Sequence, residues 1–204
     1  MRNSKITLIT LVIAFIFASC ASSYKAVEPG NLNYTSTDSG ETFAYKYDIL
    51  AQARNKKYAK KEGKNHIRVI AIRINNNTEQ TLKYGENYKI YSGNQEVQIL
   101  PVSTVTNSLK QTVPAYLLYL LLTPAKLTVS SGTSQSSTPI GLIIGPGLAI
   151  LNVAIAANAN SNFKKEMEAY SIVDKEIKPG DTLYGLIGIQ NTDFLPLSIK
   201  IINN

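Results

Sequence analysis

The chain has 204 residues, with 21 Lys and Arg against 14 Asp and Glu, and a formal charge of +7. A single cysteine excludes an intrachain disulfide, and a single histidine without a second thiol or imidazole excludes a Cys/His transition-metal centre. The length suits one domain with a substantial core.

Arg2 and Lys5 precede the uncharged run Ile6–Phe17, which small residues Ala18 and Ser19 close. This is the order of a secretory signal peptide, predicted over residues 1–19. As a helix the apolar run would reach only about 18 Å, short of the ~30 Å hydrocarbon core of a bilayer. Phe17-Ala18-Ser19-Cys20 resembles the lipobox of bacterial lipoproteins, with Phe17 in place of the usual aliphatic residue and Ser19 in place of Gly or Ala. The resemblance implies diacylglycerol on the Cys20 sulfur and an acyl chain on its new amino group. Each buried methylene contributes about 0.8 kcal/mol, so several chains hold a protein at a membrane where one would not. Residues 21–40, rich in Ser, Thr, Asn and Gly, read as a flexible tether. A single domain is expected over 41–204.

Phe43, Tyr45, Tyr47 and Ile49 alternate with polar or small residues, the period of a half-buried strand. The basic stretch 54–64 reads as a solvated loop or strand end. Ile67–Ile74 is apolar on both faces and predicts a central strand, ended by the turn cluster Asn75-Asn76-Asn77-Thr78. Leu82–Tyr84 predicts a short strand. Tyr88–Tyr91 and Val97–Leu100 predict a hairpin about Ser92-Gly93-Asn94.

A helical insert is expected over about 104–170. Gln111–Ala125 has no charge, Ser130–Thr138 reads as a loop, and Pro139–Ala157 is mainly apolar. Leu148, Leu151, Ile155, Ala159, Phe163, Met167 and Tyr170 then recur on one helical face. Gly141 and Gly145 have the spacing that lets helices approach closely, and with Gly147 they are candidates for helix packing or membrane contact. Three roles are open for this hairpin. It could cover the domain's own sheet, enter the membrane, or present a protein-binding or self-association surface.

Ser171–Lys178, Leu183–Ile189 and Leu195–Ile202 predict the last strands, with Pro196 at an edge or bulge. About seven short strands separated by turns predict an α+β fold: an immunoglobulin-like antiparallel β-sandwich with an apolar helical hairpin inserted between its N- and C-terminal strands.

No constellation for chemistry emerges. His66 precedes a strand, no G-x-S-x-G elbow occurs, and Gly141–Gly147 lacks the Lys-Ser/Thr of a phosphate loop. Glu41, Asp48, Glu62, Glu79, Glu86 and Glu96 fall in predicted loops or on exposed strand faces, so no acidic pair stands out. No catalytic, cofactor-binding or metal residue is assigned, and no cofactor is expected.

Four groups of stretches carry a broader resemblance. They are Tyr45–Leu50, Asn55–Glu62, Ser108–Gln111 with Tyr116–Tyr119, and Ile177–Asp181 with Gly185–Gly188. On these the chain resembles an uncharacterised family of small lipoproteins from Bacteroidetes-type bacteria. The resemblance implies lineage and address but no activity. No acidic residue follows Cys20 before Glu28. In proteins of this kind that implies the cell envelope, at the periplasmic face of the outer membrane.

The expectation is therefore a membrane-anchored, non-enzymatic binding or structural module. Its partners would be the membrane, through Cys20, and an envelope protein or a second copy through the hairpin, with no nucleic acid. The alternatives are a membrane-inserting or lipid-binding lipoprotein using residues 111–163, and a hydrolase of envelope polymers.

Overall fold

The computed structural model describes residues 20–34, 36–38, 42–131, 134–191 and 193–202. The expected signal peptide, residues 1–19, lies outside them. In chain order the elements are β1 (Ser36–Asp38), β2 (Phe43–Lys46), α1 (Ile49–Gln52), α2 (Lys56–Asn65), β3 (Ile67–Asn75), β4 (Leu82–Lys83), β5 (Tyr88–Ser92), β6 (Gln95–Glu96) and α3 (Val102–Leu109). A 3-10 helix (Val113–Leu122), β7 (Leu127–Ser131), β8 (Ser134–Thr138) and α4 (Gly141–Ala169) follow, then β9 (Glu176–Ile177), β10 (Thr182–Gln190) and β11 (Leu197–Ile201). The fold is α+β with antiparallel sheets.

The chain divides into two compact units. One is Tyr24–Lys110 with Asn160–Asn204; the other is Gln111–Ala159 with the described residues up to Ser23.

The larger unit is organised by the period-two pattern of β3. Its strands run in the order β1-β2-β3-β10, with Ile70 opposite Ile187 and Ala71 opposite Leu186. Ile70, Ile72 and Ile74 enter one buried cluster with Leu82, Tyr88, Ile90, Ile177 and Leu197 from the smaller strands. Ile67, Val69 and Ala71 point the other way. They join Ile49, Leu50, Tyr58, Val105, Leu109, Phe163 and Met167 from the helices. The strand that the sequence marks as apolar on both faces thus serves two cores. Gly185 and Gly188 let both layers close on β10. A Cβ at Gly185 would lie 2.2 Å from the Ile172 side chain, and one at Gly188 would lie 2.2 Å from that of Val105.

Several expectations are corrected. Most of the basic stretch 54–64 forms α2, because Tyr58 and Glu62, one helical turn apart, are both buried while Lys56, Lys60 and Lys64 are exposed. Ser171–Lys178 yields only the two residues of β9. Asp174, at φ 65°, breaks the extended run before it. The hairpin of β5 turns at Gly93, φ 58°; its partner strand begins earlier than expected, at β6, and of Val97–Leu100 the Val97 amide continues the ladder to the Ile90 carbonyl at 2.8 Å. Ser130–Thr138, read as a loop, falls largely within the antiparallel pair β7–β8.

Residues 24–34, read as tether, are instead seated on the larger unit. Val27 is buried, and Tyr24 packs on Tyr58 and Phe163 at ring separations of 5.3 and 5.4 Å. The Asn55 side chain pairs with the Lys25 backbone at both ends, 2.9 and 2.7 Å. Glu166 accepts hydrogen bonds from the Tyr24 hydroxyl and from the Val27 and Glu28 amides. A polar composition concealed this, because the seating uses backbone amides and two aromatic contacts and no apolar period.

Candidate functional site

The only cysteine sits in the smaller unit. The 3-10 helix there explains an otherwise undivided apolar run. With three residues per turn, Val113, Tyr116, Tyr119 and Leu122 superpose on one side. Tyr116 and Tyr119 are buried, and Val113 and Leu122 partly so. Everything between points outward: Leu117, Leu118, Leu120 and Leu121 are 44–74 % exposed. An α-helical reading of 111–125 could not separate these faces, since a period of 3.6 smears a three-residue repeat.

Helix α4 meets this strip through its smallest residues. Gly141, Gly145, Ala149, Asn152 and Ala156 are all buried, at steps of three or four. A Cβ at Gly141 would stand 2.1 Å from the Leu122 carbonyl oxygen, and one at Gly145 would stand 3.0 Å from that of Tyr119. Gly147 belongs elsewhere, exposed and with nothing within 4 Å of its missing Cβ. The structure therefore brings two of the three candidate glycines to a close helix approach and leaves the third outside it. Gly141→Ala is expected to destabilise this unit by about 1–3 kcal/mol through overpacking. Gly147→Ala is expected to stabilise it by up to about 1 kcal/mol through helix propensity. Thermal unfolding of the two variants, followed by helical circular dichroism, should move in opposite directions.

Two buried amides complete the unit. Gln111 and Asn152 are 2 and 3 % exposed, and both are spent on the residues just after Cys20. The Gln111 side chain donates to the Ser22 carbonyl at 2.6 Å and accepts the Ser22 amide at 3.2 Å, pairing with it as a neighbouring strand would. The Tyr116 hydroxyl donates to the same Gln111 oxygen at 3.2 Å, and burial raises its pKa. The Asn152 oxygen accepts the Ala21 amide at 2.5 Å, while its nitrogen donates to the Leu148 carbonyl at 2.8 Å. An unsatisfied buried amide costs roughly 1–3 kcal/mol, so each of these residues depends on the segment it holds. Cys20 directly precedes the clamped residues, its sulfur 3.8 Å from the Tyr119 hydroxyl.

On the outside of the same unit lies an apolar surface. Leu142, Ile150 and Leu151 are 57–70 % exposed, adding to the leucines of the 3-10 helix. A shallow groove of about 340 Å³ runs between Leu117 and Leu120 on one side and Pro146, Ile150 and Val153 on the other. Between Gln111 and Ala159 the sequence holds one charged residue, Lys126. Among the described residues no helix is long and apolar enough to cross a membrane.

The larger unit holds a cavity of about 420 Å³ bordered by Tyr84, Pro101, Met167, Asp174 and Gly188. Its polar lining is Tyr84, Ser171 and Asp174, with no histidine, lysine or second carboxylate among the residues around it. His66 caps α2 in the left-handed conformation, φ 54°. Glu86 and Glu96 form ion pairs with Lys83 and Lys89 at 2.6 and 2.8 Å, Asp48 and Glu79 are exposed, and Glu41 lies outside the described residues. Glu62 is not the loop carboxylate expected: it is buried and accepts the Val69 amide at 2.7 Å. Among the described residues no group of three His, Cys, Asp or Glu could hold a metal ion.

Comparison of the chain with protein-family models, with curated proteins and with solved structures finds no match.

Proposed function

We propose that the protein is a lipid-anchored envelope protein that acts by binding, a non-enzymatic structural or adaptor module held through Cys20 at the periplasmic face of the outer membrane. The observation that carries this reading is the clamp of Gln111 and Asn152 on Ser22 and Ala21, immediately behind the lipobox-like Phe17–Cys20. Two buried side chains fix the two residues after the cysteine, so the cysteine occupies a defined place rather than the end of a loose arm. Its acceptance of lipid chains would then position the whole smaller unit. The non-enzymatic side of the proposal rests on the disposition of the acids among the described residues: most are exposed or paired with lysines, Glu166 is spent on the Tyr24 hydroxyl and the Val27 and Glu28 amides, and Glu62 is closed off from any substrate.

Two observations support the finer reading of the fold. One cluster joins the even face of β3 to β4, β5, β9 and β11, as a sandwich-type core would. Residues 111–159 also interrupt the chain of the larger unit, as an insert would.

The anchor is tested by growing cells with an alkyne-tagged fatty acid and measuring the intact mass of the purified protein. Label on the wild type, its loss in Cys20→Ser, and a mass starting at Cys20 plus acyl groups are expected. A mass that still includes residues 1–19, or label that survives Cys20→Ser, would refute it.

A further inference from the structure

We propose that the exposed apolar face of the smaller unit lies flat in the headgroup–acyl boundary of the very leaflet that carries the Cys20 lipid. This deepens the proposed function and rests on the anchor it assigns. The occupant of the face is lipid, by three arguments from the structure.

The first is reach. Ala21 is bonded to Asn152, so one Cα–Cα step of about 3.8 Å separates the lipid-bearing residue from the clamp. No slack remains to lift the unit off the surface to which Cys20 is fixed. Leu118 and Leu120, the neighbours of the Tyr119 that touches the sulfur, already point outward.

The second is charge. A face for a soluble protein partner ordinarily has a polar and charged rim around its apolar centre. Here Lys126 is the only charged residue from Gln111 to Ala159, and Cys20–Ser23 has none. Seating such a surface in lipid desolvates almost no charge, and the one cation suits anionic headgroups.

The third is orientation. Asn152 lies eleven residues into α4 from Gly141, about 16 Å along its axis. The clamp places the glyceryl group, and with it the headgroup level, at this mid-helix point. An upright α4 would carry the neighbouring β7–β8 pair into hydrocarbon, where the open edges of a two-stranded sheet have nothing to bond. A helix lying along the surface does not force that pair into hydrocarbon.

The chain has no tryptophan, so one introduced residue reports alone. Leu118→Trp in the full mature chain, with Cys20→Ser to remove the lipid, is mixed with vesicles of phosphatidylethanolamine and phosphatidylglycerol. Leu118 is 65 % exposed, so the exchange leaves the fold intact. Expected are flotation with the vesicles, a blue shift of emission, and stronger quenching by lipids brominated near the headgroup than near the chain ends. Leu121→Glu should weaken flotation at least about tenfold. A protein that stays in the soluble fraction as a monomer, or that forms a dimer indifferent to vesicles, overturns the inference. So does quenching strongest from the chain ends, which would mean a buried or spanning hairpin. Because this chain bears no lipid, a failure here leaves the acyl-labelling result standing, and the converse holds as well.

Discussion

Phe163→Ala is expected to cost about 3–5 kcal/mol in the stability of the larger unit. Phe163 is fully buried near the C-terminal end of α4, its ring 4.8 Å from that of Tyr58 and 5.4 Å from that of Tyr24. The three rings close a triangle, since Tyr24 and Tyr58 meet edge to face at 5.3 Å. Removing one corner loses the buried area of an aromatic side chain and opens a void that its neighbours are held from filling. Tyr58 donates to Asn160 at 3.0 Å, and Tyr24 donates to Glu166 at 2.5 Å. Burial and that carboxylate keep the Tyr24 phenol protonated far above its usual range. The loss is therefore expected near the upper end of the range, with Phe163→Leu costing much less. Urea unfolding measures it as a lowered midpoint at constant slope. Trypsin offers an independent reading, because unseating Tyr24 loosens the Lys25 backbone that Asn55 holds and lets the protease bind it. A loss below about 1 kcal/mol would mean that residues 24–28 are not packed on the rings as described.

Glu62→Gln is expected to abolish a pH dependence worth about 3 kcal/mol. β2 pairs with β3 only as far as Ala71, and Glu62 takes up the Val69 amide beyond that point. Burial pushes the Glu62 carboxyl from 4.5 up to about 7, against the lowering effect of the Val69 amide and Arg68. The folded chain then keeps its proton up to about pH 7, whereas the unfolded chain releases it near 4.5. Between these values the folded state binds more protons. The contribution of Glu62 is thus full below pH 4.5, falls as pH rises through 7, and levels off above. Glutamine keeps the acceptor for Val69 and never ionises. The variant should match the wild type near pH 5 and exceed it by a few kcal/mol at pH 8. Urea midpoints at pH 5, 6, 7 and 8 decide it, and parallel profiles would locate the proton elsewhere.

The two structural lessons differ in kind. β3 and β10 were legible because Ile67–Ile74 and Leu183–Ile189 are rich in apolar residues on both strand faces, and both faces of each are buried in the structure. The turn at Gly93 was legible from its residue types. Helix α2 was not, for its buried face amounts to Tyr58 and Glu62 among lysines, and a buried acid leaves no apolar trace. At the site, Cys20 stood out by its neighbours in sequence. Gln111 did not, since a glutamine beside an apolar run looks like a boundary. Asn152 did not stand out within the mainly apolar stretch Pro139–Ala157, although it is the residue that grips Ala21. Its partner is 131 residues away, and no local pattern encodes a pairing at that separation. The three-residue repeat of Tyr116 and Tyr119 was present in the sequence but hidden by the assumption of an α-helix.

The grips on residues 21–28 also impose an order of events. Asn55, Gln111, Asn152 and Glu166 all lie downstream of the segment they hold, so it emerges first and is captured last. Contacts across more than 130 residues close late, once the intervening chain has found its place. Until Asn152 arrives, the backbone of Ala21 is unoccupied, and the modifying enzyme that the proposed anchor requires could reach Cys20; afterwards the neighbours of Cys20 are bonded. On the proposed anchoring at Cys20, modification and folding would therefore compete for the same few residues. Slowing synthesis between residues 111 and 166 would widen the interval in which the thiol is within reach.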